Sequence, residues 1–470
     1  MAIRVRTTIP IFLACAAAAT AVAVMPTAHA ATAQSYSGST SDGGTWIADT
    51  PSSWNGTVLL YSHGFGPVVA ADAPDAGTKA ELLSLGYALV GASYGPPTAN
   101  WWALGSALTD QFQALSAFEA DLPSKPAHVI AVGTSMGGLI SALEDQNANG
   151  RINASLTTCG MVDGAGVLSE YQLEGEYAIS KLLDPSANLS LVNFPGDATG
   201  QGATEGLKLG QKLSSVAQTA QQTAAGRARL ALAMAFLNVA DWAAGDQQPA
   251  VNDYVGQEQQ QYQVEFGNPA FTAMMFTEDG RGWIEEAAGG NMSWTAGIDY
   301  TRELAKSPDH AEVAALYKQA GLSLSDDLSS LTSGADITAD PSAVKWIEET
   351  STLSGRLQVP ELDLHTISDQ LIPVGAENLY ARNVAKAGSS ALLRQAYVQA
   401  VGHCNFTPSE LAAGVLAVQH RVDTGEWGDV ATPASLNASA DSLGLSTTAA
   451  FIPYEPARLT GDTRLPTDLG

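Results

Sequence analysis

Short apolar runs alternate along this chain with longer stretches of helical period. Gly56-Thr57-Val58-Leu59-Leu60-Tyr61-Ser62 stops at His63-Gly64-Phe65-Gly66, and Tyr87 to Ala92 stops at Ser93-Tyr94-Gly95. Each run is bounded by turn residues and reads as a buried strand. From about Gly105 to Leu122, Leu108, Phe112, Leu115 and Phe118 recur at a spacing that places them on one helix face. His128 to Val132 then enters Gly133-Thr134-Ser135-Met136-Gly137-Gly138; a helix is expected from about Met136 to Gln146, then a strand over Ala154 to Val162. Far downstream the rhythm resumes, with strands at Leu362–Thr366 and Arg394–Ala400 and helices near Ala376–Lys386 and Pro408–Val422. The last helix has a clear start, because Thr407, Pro408 and Glu410 supply an N-cap, a first helical proline and a capping-box acid.

This alternation predicts an α/β fold with a mostly parallel sheet covered on both faces. Between its halves the segment 165–355, rich in Ala, Gln and Leu, breaks the rhythm and reads as an inserted helical cap. The predicted organisation is a leader at 1–30, core segments at 31–164 and 356–427 around that cap, and an extended C-terminal tail at 428–470. Residues 31–44, rich in Ser, Gly and Thr, read as a flexible mature terminus. No repeat of fixed period stands out.

Composition narrows the partners. The 470 residues include 22 basic and 48 acidic ones, for a net charge of -26, so a large basic face is excluded. Binding driven by nucleic-acid phosphates or by an anionic membrane is therefore disfavoured. Arg4 and Arg6, the apolar run Ile9 to Val24 and Ala28-His29-Ala30 match the charge, core and small-x-small cleavage pattern of a secretory signal. Beyond it no apolar run is long enough to span a bilayer; the best, Leu230 to Ala240, reads as a buried helix. A secreted, extracellular location without stable membrane anchoring is expected. Cys15 leaves with the leader, and Cys159 and Cys404 remain as an even pair in a compartment where disulfides persist.

One constellation carries chemistry. Gly133-Thr134-Ser135-Met136-Gly137 fits G-x-S-x-G between a strand and a helix, where a serine on a sharp turn needs small neighbours for the turn to close. A nucleophilic serine needs a base, and the base needs an orienting acid. His403 is the best base, in the loop Gly402-His403-Cys404-Asn405 between the last strand and the last helix. His128 and His365 read as strand residues, His420 as a helix residue, and nothing points to His310. Asp369, just past the strand Leu362–Thr366, is the best acid; Asp363 is the fallback, at the cost of a charge buried in mid-strand. No Cys/His cluster has zinc spacing, and no phosphate-binding glycine loop follows a strand, so neither metal nor cofactor is expected.

The order Ser135, Asp369, His403, each just after a predicted strand, resembles the α/β-hydrolase superfamily over about 56–163 and 356–426. His63-Gly64-Phe65-Gly66 is similar to that family's HG-type loop. The resemblance implies an oxyanion hole built from the backbone N–H groups of Phe65 and Met136. Cys404 adjoins the proposed base and Cys159 ends the next strand, so neighbouring strand ends would allow a Cys159–Cys404 disulfide to pin the histidine loop. That arrangement resembles tannases and feruloyl esterases, whose His-Cys pair is tied to a Cys-Ser pair. Here Thr134 precedes the serine, so the match is half present.

The expected activity is a secreted serine hydrolase cleaving small-molecule or polymeric carboxylic esters through an acyl-enzyme. Trp242, Trp283, Trp294, Met274 and Met275 of the cap are candidate pocket linings, set against a role in the cap's own core. A serine exopeptidase on the same fold is the first rival; it would need an acidic subsite, and Glu285-Glu286 cannot be assigned that role from sequence. A non-catalytic binding protein on a hydrolase scaffold is the second.

Overall fold

A computed structural model of the chain describes residues 33–194, 201–267, 278–445 and 449–461. The expected leader and the candidate linings Met274 and Met275 lie outside these residues. Nine strands form one sheet in the order β1-β2-β4-β3-β5-β6-β7-β8-β9. They are β1 (Gln34–Ser39), β2 (Thr45–Thr50), β3 (Thr57–Ser62), β4 (Ala88–Ala92), β5 (His128–Thr134), β6 (Ala154–Thr158), β7 (Glu361–Ser368), β8 (Leu393–Val401) and β9 (Phe451–Ile452). The six from β4 to β8 pair in parallel, and antiparallel strands close both edges.

Strand alternation sorts the core into two layers. Val58, Leu60, Val90, Val129 and Ala131 face helices α2 (Leu104–Asp121) and α3 (Met136–Gln146) and the helix Gly375–Lys386. Leu59, Tyr61, Leu89, Ile130 and Val132 face α1 (Ala76–Ser84), the helix Pro408–Thr424 and the helix Pro433–Ser442. Burial on both faces explains why these strands read as continuous apolar runs. The chain leaves β3 for β4 on one side and returns through α2 to β5 on the other. The strand order thus reverses around β3, where open α/β sheets place their ligand crevice. Thr407 and Glu410 form the expected capping box on the helix Pro408–Thr424.

Between β6 and β7 the described residues form helices joined by loops, from α4 (Ala165–Leu183) to the helix Pro341–Ser351, with no strand among them. They enclose an apolar cluster of their own that includes Leu173, Ile179, Leu213, Leu232, Phe236 and Leu331.

Two expectations are corrected. The segment 31–44, read as flexible, contributes β1 and turns into β2, and Trp46 fills the space above Gly38, where a β-carbon would strike the indole. Its alternation is masked by small polar residues that face solvent along an edge strand. The tail 428–470, read as extended, carries a helix at Pro433–Ser442, capped by Thr432 with proline at the first position, and the short strand β9.

The interior holds many carboxyls. Burial pushes Glu176 and Glu265 up to about 8, and Asp145 and Glu258 up to about 7. In the unfolded chain such groups ionise near pH 4. Between that value and their folded values the fold binds more protons, so their contribution to stability is full at low pH and is lost as pH rises. The thermal midpoint is therefore expected to be several degrees higher near about pH 5 than near about pH 8; scanning calorimetry across that range checks it, and a midpoint rising with pH would contradict it.

Candidate active site

Ser135 lies between β5 and α3 with φ 61° and ψ -123°, a conformation that side-chain-bearing residues avoid. The turn closes only because its neighbours are glycines. A β-carbon on Gly133 would collide with the carbonyl of Gly137, and one on Gly137 with the carbonyl of Ser62 on β3. Ser135 donates its own N–H to the carbonyl of Thr158 on β6 at 3.0 Å, which holds the turn against the sheet. The hydroxyl is consequently lifted over the carboxyl ends of the parallel strands.

β8 ends at Val401, and Gly402, with φ 115°, reverses the chain so that His403 reaches back over the sheet. Its Nε2 lies 2.7 Å from Ser135 Oγ and its Nδ1 2.8 Å from Asp369 Oδ2. The other oxygen of Asp369 accepts the backbone N–H groups of Leu371 and Ile372 at 2.8 and 3.0 Å. Burial alone would raise the Asp369 carboxyl, but His403, His365 and the Ile372 N–H outweigh it and hold it below the usual carboxylate range. An ionised, fully hydrogen-bonded Asp369 fixes the Nδ1–H tautomer of His403 and leaves Nε2 to accept the serine proton. The structure thus brings Ser135, Asp369 and His403 together in one hydrogen-bonded chain.

Cys159 and Cys404 are joined by a disulfide, with Cα atoms 5.3 Å apart. Cys159 follows the last residue of β6 and, like Cys404, has positive φ, at 43° and 53°. The bond fastens the histidine loop to the strand beside the nucleophile, and Cys404 Sγ lies 3.3 Å from His403 Nε2. Among the described residues Cys159, His403 and Cys404 are the one grouping close enough to share a metal ion. Both sulfurs are spent on each other, and Nε2 faces Ser135, so the grouping offers no free ligand set.

His63 makes no hydrogen bond to Ser135. It stacks on Tyr94 at 4.1 Å, shares Nδ1 with the Gly64 carbonyl at 2.7 Å, and is driven by burial below its ordinary pKa. At Gly64 a β-carbon would sit 3.2 Å from Ser135 Cβ, so the loop passes hard against the serine. The backbone N–H groups of Phe65 and Met136 make no hydrogen bond to another described residue. For Met136 this follows from its place at the first position of α3, whose leading N–H groups have no intrahelical acceptor.

Phe65 rests against Trp101 and Trp102 at 6.0 and 6.1 Å, and Trp101 stacks on Trp283 of the helical region at 5.0 Å. Asn100 donates to the Trp283 carbonyl at 3.1 Å and to Glu286 at 2.9 Å, tying the two segments together. Of the candidate linings, Trp283 shares the apolar cluster of Met136. Trp294 packs instead on the helical region's own core, and the Trp242 carbonyl accepts from Ser368 next to Asp369. Sequence reasoning missed Trp101 and Trp102, although a Trp doublet in a loop after a strand is a readable signal. The remaining histidines lie elsewhere: His128 pairs with Asp423 at 3.4 Å, and His310 and His420 are exposed. His365 is the exception, buried beside Asp369. Asp363, the fallback acid, is buried in mid-strand with its carboxyl raised by burial and by Glu377.

Opening the disulfide should loosen this end of the sheet. The bond spans a sequence separation of 245 residues, and closing a loop of that size contributes up to about 5 kcal/mol in the chain-entropy treatment. The double variant Cys159→Ser, Cys404→Ser is expected to lose a large part of that in urea unfolding, and a midpoint within error of the parent would refute it.

No protein-family model matches the chain. It is 28% identical over 429 residues to an o-phthalyl amidase of Xanthobacter agilis, covering 87% of this chain and 92% of that one. Among solved structures it is similar to feruloyl esterase B from Aspergillus oryzae, with a TM-score of 0.42, 12% identity, and coverage of 84% of this chain and 81% of the other. It is also similar to the cell-wall-degrading esterase LipA of Xanthomonas oryzae, with a TM-score of 0.35, 15% identity, and coverage of 83% and 87%. Against the acylaminoacyl peptidase of Pyrococcus horikoshii the TM-score is 0.34 and the identity 8%; 93% of this chain is covered, but only 45% of that one. With its parallel sheet reversing around β3 and its serine, aspartate and histidine placed just past β5, β7 and β8, the chain has the α/β-hydrolase fold.

Proposed function

We propose that the protein is a serine hydrolase cleaving a carboxylic ester or amide through an acyl-enzyme on Ser135. The observation that carries this reading is the unbroken chain from Ser135 Oγ through His403 to Asp369, at 2.7 and 2.8 Å. Ser135 Oγ attacks the carbonyl carbon while its proton passes to His403 Nε2, and Asp369 supports the imidazolium that forms. The carbonyl oxygen becomes an oxyanion facing the N–H groups of Phe65 and Met136; losing one such donor costs on the order of 3 kcal/mol. The bond to the leaving oxygen or nitrogen then breaks, and that atom takes the proton from His403. Water enters, gives a proton to His403 and attacks the acyl carbon. The acid departs as the proton returns to Ser135.

An amide is the second reading, favoured by the extent of the likeness to the o-phthalyl amidase, which spans 87% of this chain. The chemistry up to the acyl-enzyme is shared, and the two readings differ in how well His403 protonates a poorer leaving group. The aromatic wall of Phe65, Trp101 and Trp283 beside the oxyanion loop favours a flat, aromatic acyl group in either case. The leader pattern and the disulfide support an exported protein. No described helix is long and apolar enough to cross a membrane.

The reading is tested with p-nitrophenyl acetate, decanoate and benzoate and with the matching anilides, comparing the parent with Ser135→Ala. Turnover is expected to fall by at least about 10⁴-fold in the variant, with the benzoyl substrates preferred over the alkyl ones. A parent that turns over none of them and leaves a fluorophosphonate probe unreacted would sink the enzyme reading in favour of a binding protein.

A further inference from the structure

The disulfide beside His403 brings two sulfurs and an imidazole to one point. Cys404 Sγ lies 3.3 Å from His403 Nε2, and with Cys159 Sγ the three atoms fall within 4.8 Å of one another. The two cysteines are 245 residues apart, so no spacing in the sequence announces the grouping. While the sulfurs are bonded to each other they are no metal ligands; the geometry matters once that bond opens. Cys159 is wholly buried, but Cys404 and His403 are half-buried, so a reductant and an ion reach the group from their side.

Hydrogen bonds that involve no sulfur keep the three side chains within reach of one another. The N–H of Cys159 donates to the Leu364 carbonyl on β7 at 2.7 Å. On the other side, the Gly402 N–H donates to the Ser368 carbonyl at 2.8 Å and the Thr366 hydroxyl to the Gly402 carbonyl at 3.0 Å. Asn405 Nδ2 adds a bond to the Val401 carbonyl at 2.9 Å. Asp369 holds His403 through Nδ1 at 2.8 Å, which leaves Nε2 as the ligand atom and puts a carboxylate behind it, the usual support of a metal-binding imidazole. A tetrahedral zinc ion, with sulfur at about 2.3 Å and nitrogen at about 2.0 Å, sets its sulfurs roughly 3.8 Å apart and each roughly 3.5 Å from the nitrogen. Cys404 already stands close to the second separation. With Cα atoms 5.3 Å apart, the freed sulfurs reach the first by turning about their Cα–Cβ bonds.

We propose that Cys159, Cys404 and His403 Nε2 form a zinc site when the disulfide is reduced, giving the chain two exclusive states: disulfide with a free imidazole, or metal with a blocked one. Two thiolates and an imidazole suit zinc rather than magnesium or calcium. A dithiol reductant opens the site. One of its thiolates attacks the Cys404 sulfur, and Cys159 leaves as a thiolate. The reductant's second thiol then closes on its first, so that Cys404 is released and the reductant ends as a disulfide. Two electrons have passed to the protein, and zinc takes both sulfurs as thiolates, with release of their protons. The Nε2 lone pair that zinc occupies is the one that faces Ser135 Oγ at 2.7 Å. The metal form therefore has no base for the serine proton, a consequence that, unlike the site itself, rests on the reading of Ser135 and His403 given above.

The full chain is compared in its oxidised form and after reduction with dithiothreitol, which is then removed under argon, and each form is titrated with zinc chloride. Bound zinc, the thermal midpoint and the rate of fluorophosphonate labelling of Ser135 are read in parallel. The reduced chain is expected to take up a single zinc ion and to gain several degrees in midpoint. Its labelling is expected to fall by at least about a hundredfold and to return when a chelator removes the metal. The oxidised chain is expected to show none of these changes. Cys159→Ser and Cys404→Ser should each weaken zinc binding by more than about a hundredfold, beyond what loss of an outer-shell partner costs. If reduction unfolds the chain, zinc is expected to restore its circular dichroism. A reduced chain that binds no more zinc than the oxidised one, or whose midpoint or folded signal zinc leaves unmoved, overturns the proposal, as does labelling that persists at full zinc loading. An oxidised parent that fails to label strikes instead at the nucleophile reading, because zinc uptake and the midpoint do not depend on Ser135.

Discussion

The left-handed backbone of Ser135 is the constraint around which the rest of the site is arranged. A residue with a side chain is held there at a cost of order 1–3 kcal/mol, and the surroundings have to over-determine it. They do so by contact: Gly133 and Gly137 let β5, α3 and β3 approach until backbone meets backbone, and Thr158 takes the serine N–H. The same closeness brings the loop His63–Gly66 against the serine, where a β-carbon on Gly64 would sit 3.2 Å from Ser135 Cβ. Strain at one residue and the proposed oxyanion site are thus products of a single packing arrangement.

Parallel strands supply the remaining groups because every strand in such a sheet ends on the same side. β7 and β8 deliver Asp369 and His403 with no long-range adjustment, and the Cys159–Cys404 disulfide fastens the loop after β8 to the end of β6. What the sheet cannot supply is the electrostatic state of the acid. Leu362 and Leu364 turn one face of β7 to the apolar layer beneath the helix Pro408–Thr424, while Glu361, Asp363 and His365 turn the other face to α3 and the helix Gly375–Lys386. A strand with a buried polar face is costly unless its groups share protons and hydrogen bonds. Glu361 meets this through Tyr380 and Thr157 and His365 through Glu377, whereas the buried Asp363 carboxyl has no hydrogen-bond partner among the described residues and burial raises its pKa.

This explains which parts were legible in the sequence. Strands buried on both faces announce themselves as apolar runs, and Ser135, Asp369 and His403 stand out because each follows such a run. The helix at Pro408 was readable from its capping residues, and the Thr432-Pro433 start of the last helix uses the same device, though it was read as tail. β1 was missed because an edge strand of Gln-Ser-Tyr-Ser-Gly-Ser carries almost no apolar side chain, and its partner Trp46 is recognisable only once paired. On β7 alternation is visible, but it normally marks a face in water. Nothing local says that Glu361, Asp363 and His365 are covered by helices drawn from either side of the long helical region. The tie between Asn100 and Trp283 is likewise a product of tertiary packing.

That tie bears on what the protein can select. The sheet and its glycines leave little freedom at Ser135, because a single added carbon meets backbone. The wall of Phe65, Trp101 and Trp283 is built differently. It combines the loop after β3, the loop after β4 and a helix from the region between β6 and β7, joined by ring contacts and the two hydrogen bonds of Asn100. Loops and insertions tolerate change far better than a parallel core. The hydrogen-bonded chain is therefore set by the sheet, and the aromatic wall by loops and an inserted helix. On the proposed hydrolase reading, such a division would let one nucleophile serve esters or amides of different shape, with the aromatic character of this wall, rather than the sheet, setting the preferred substrate.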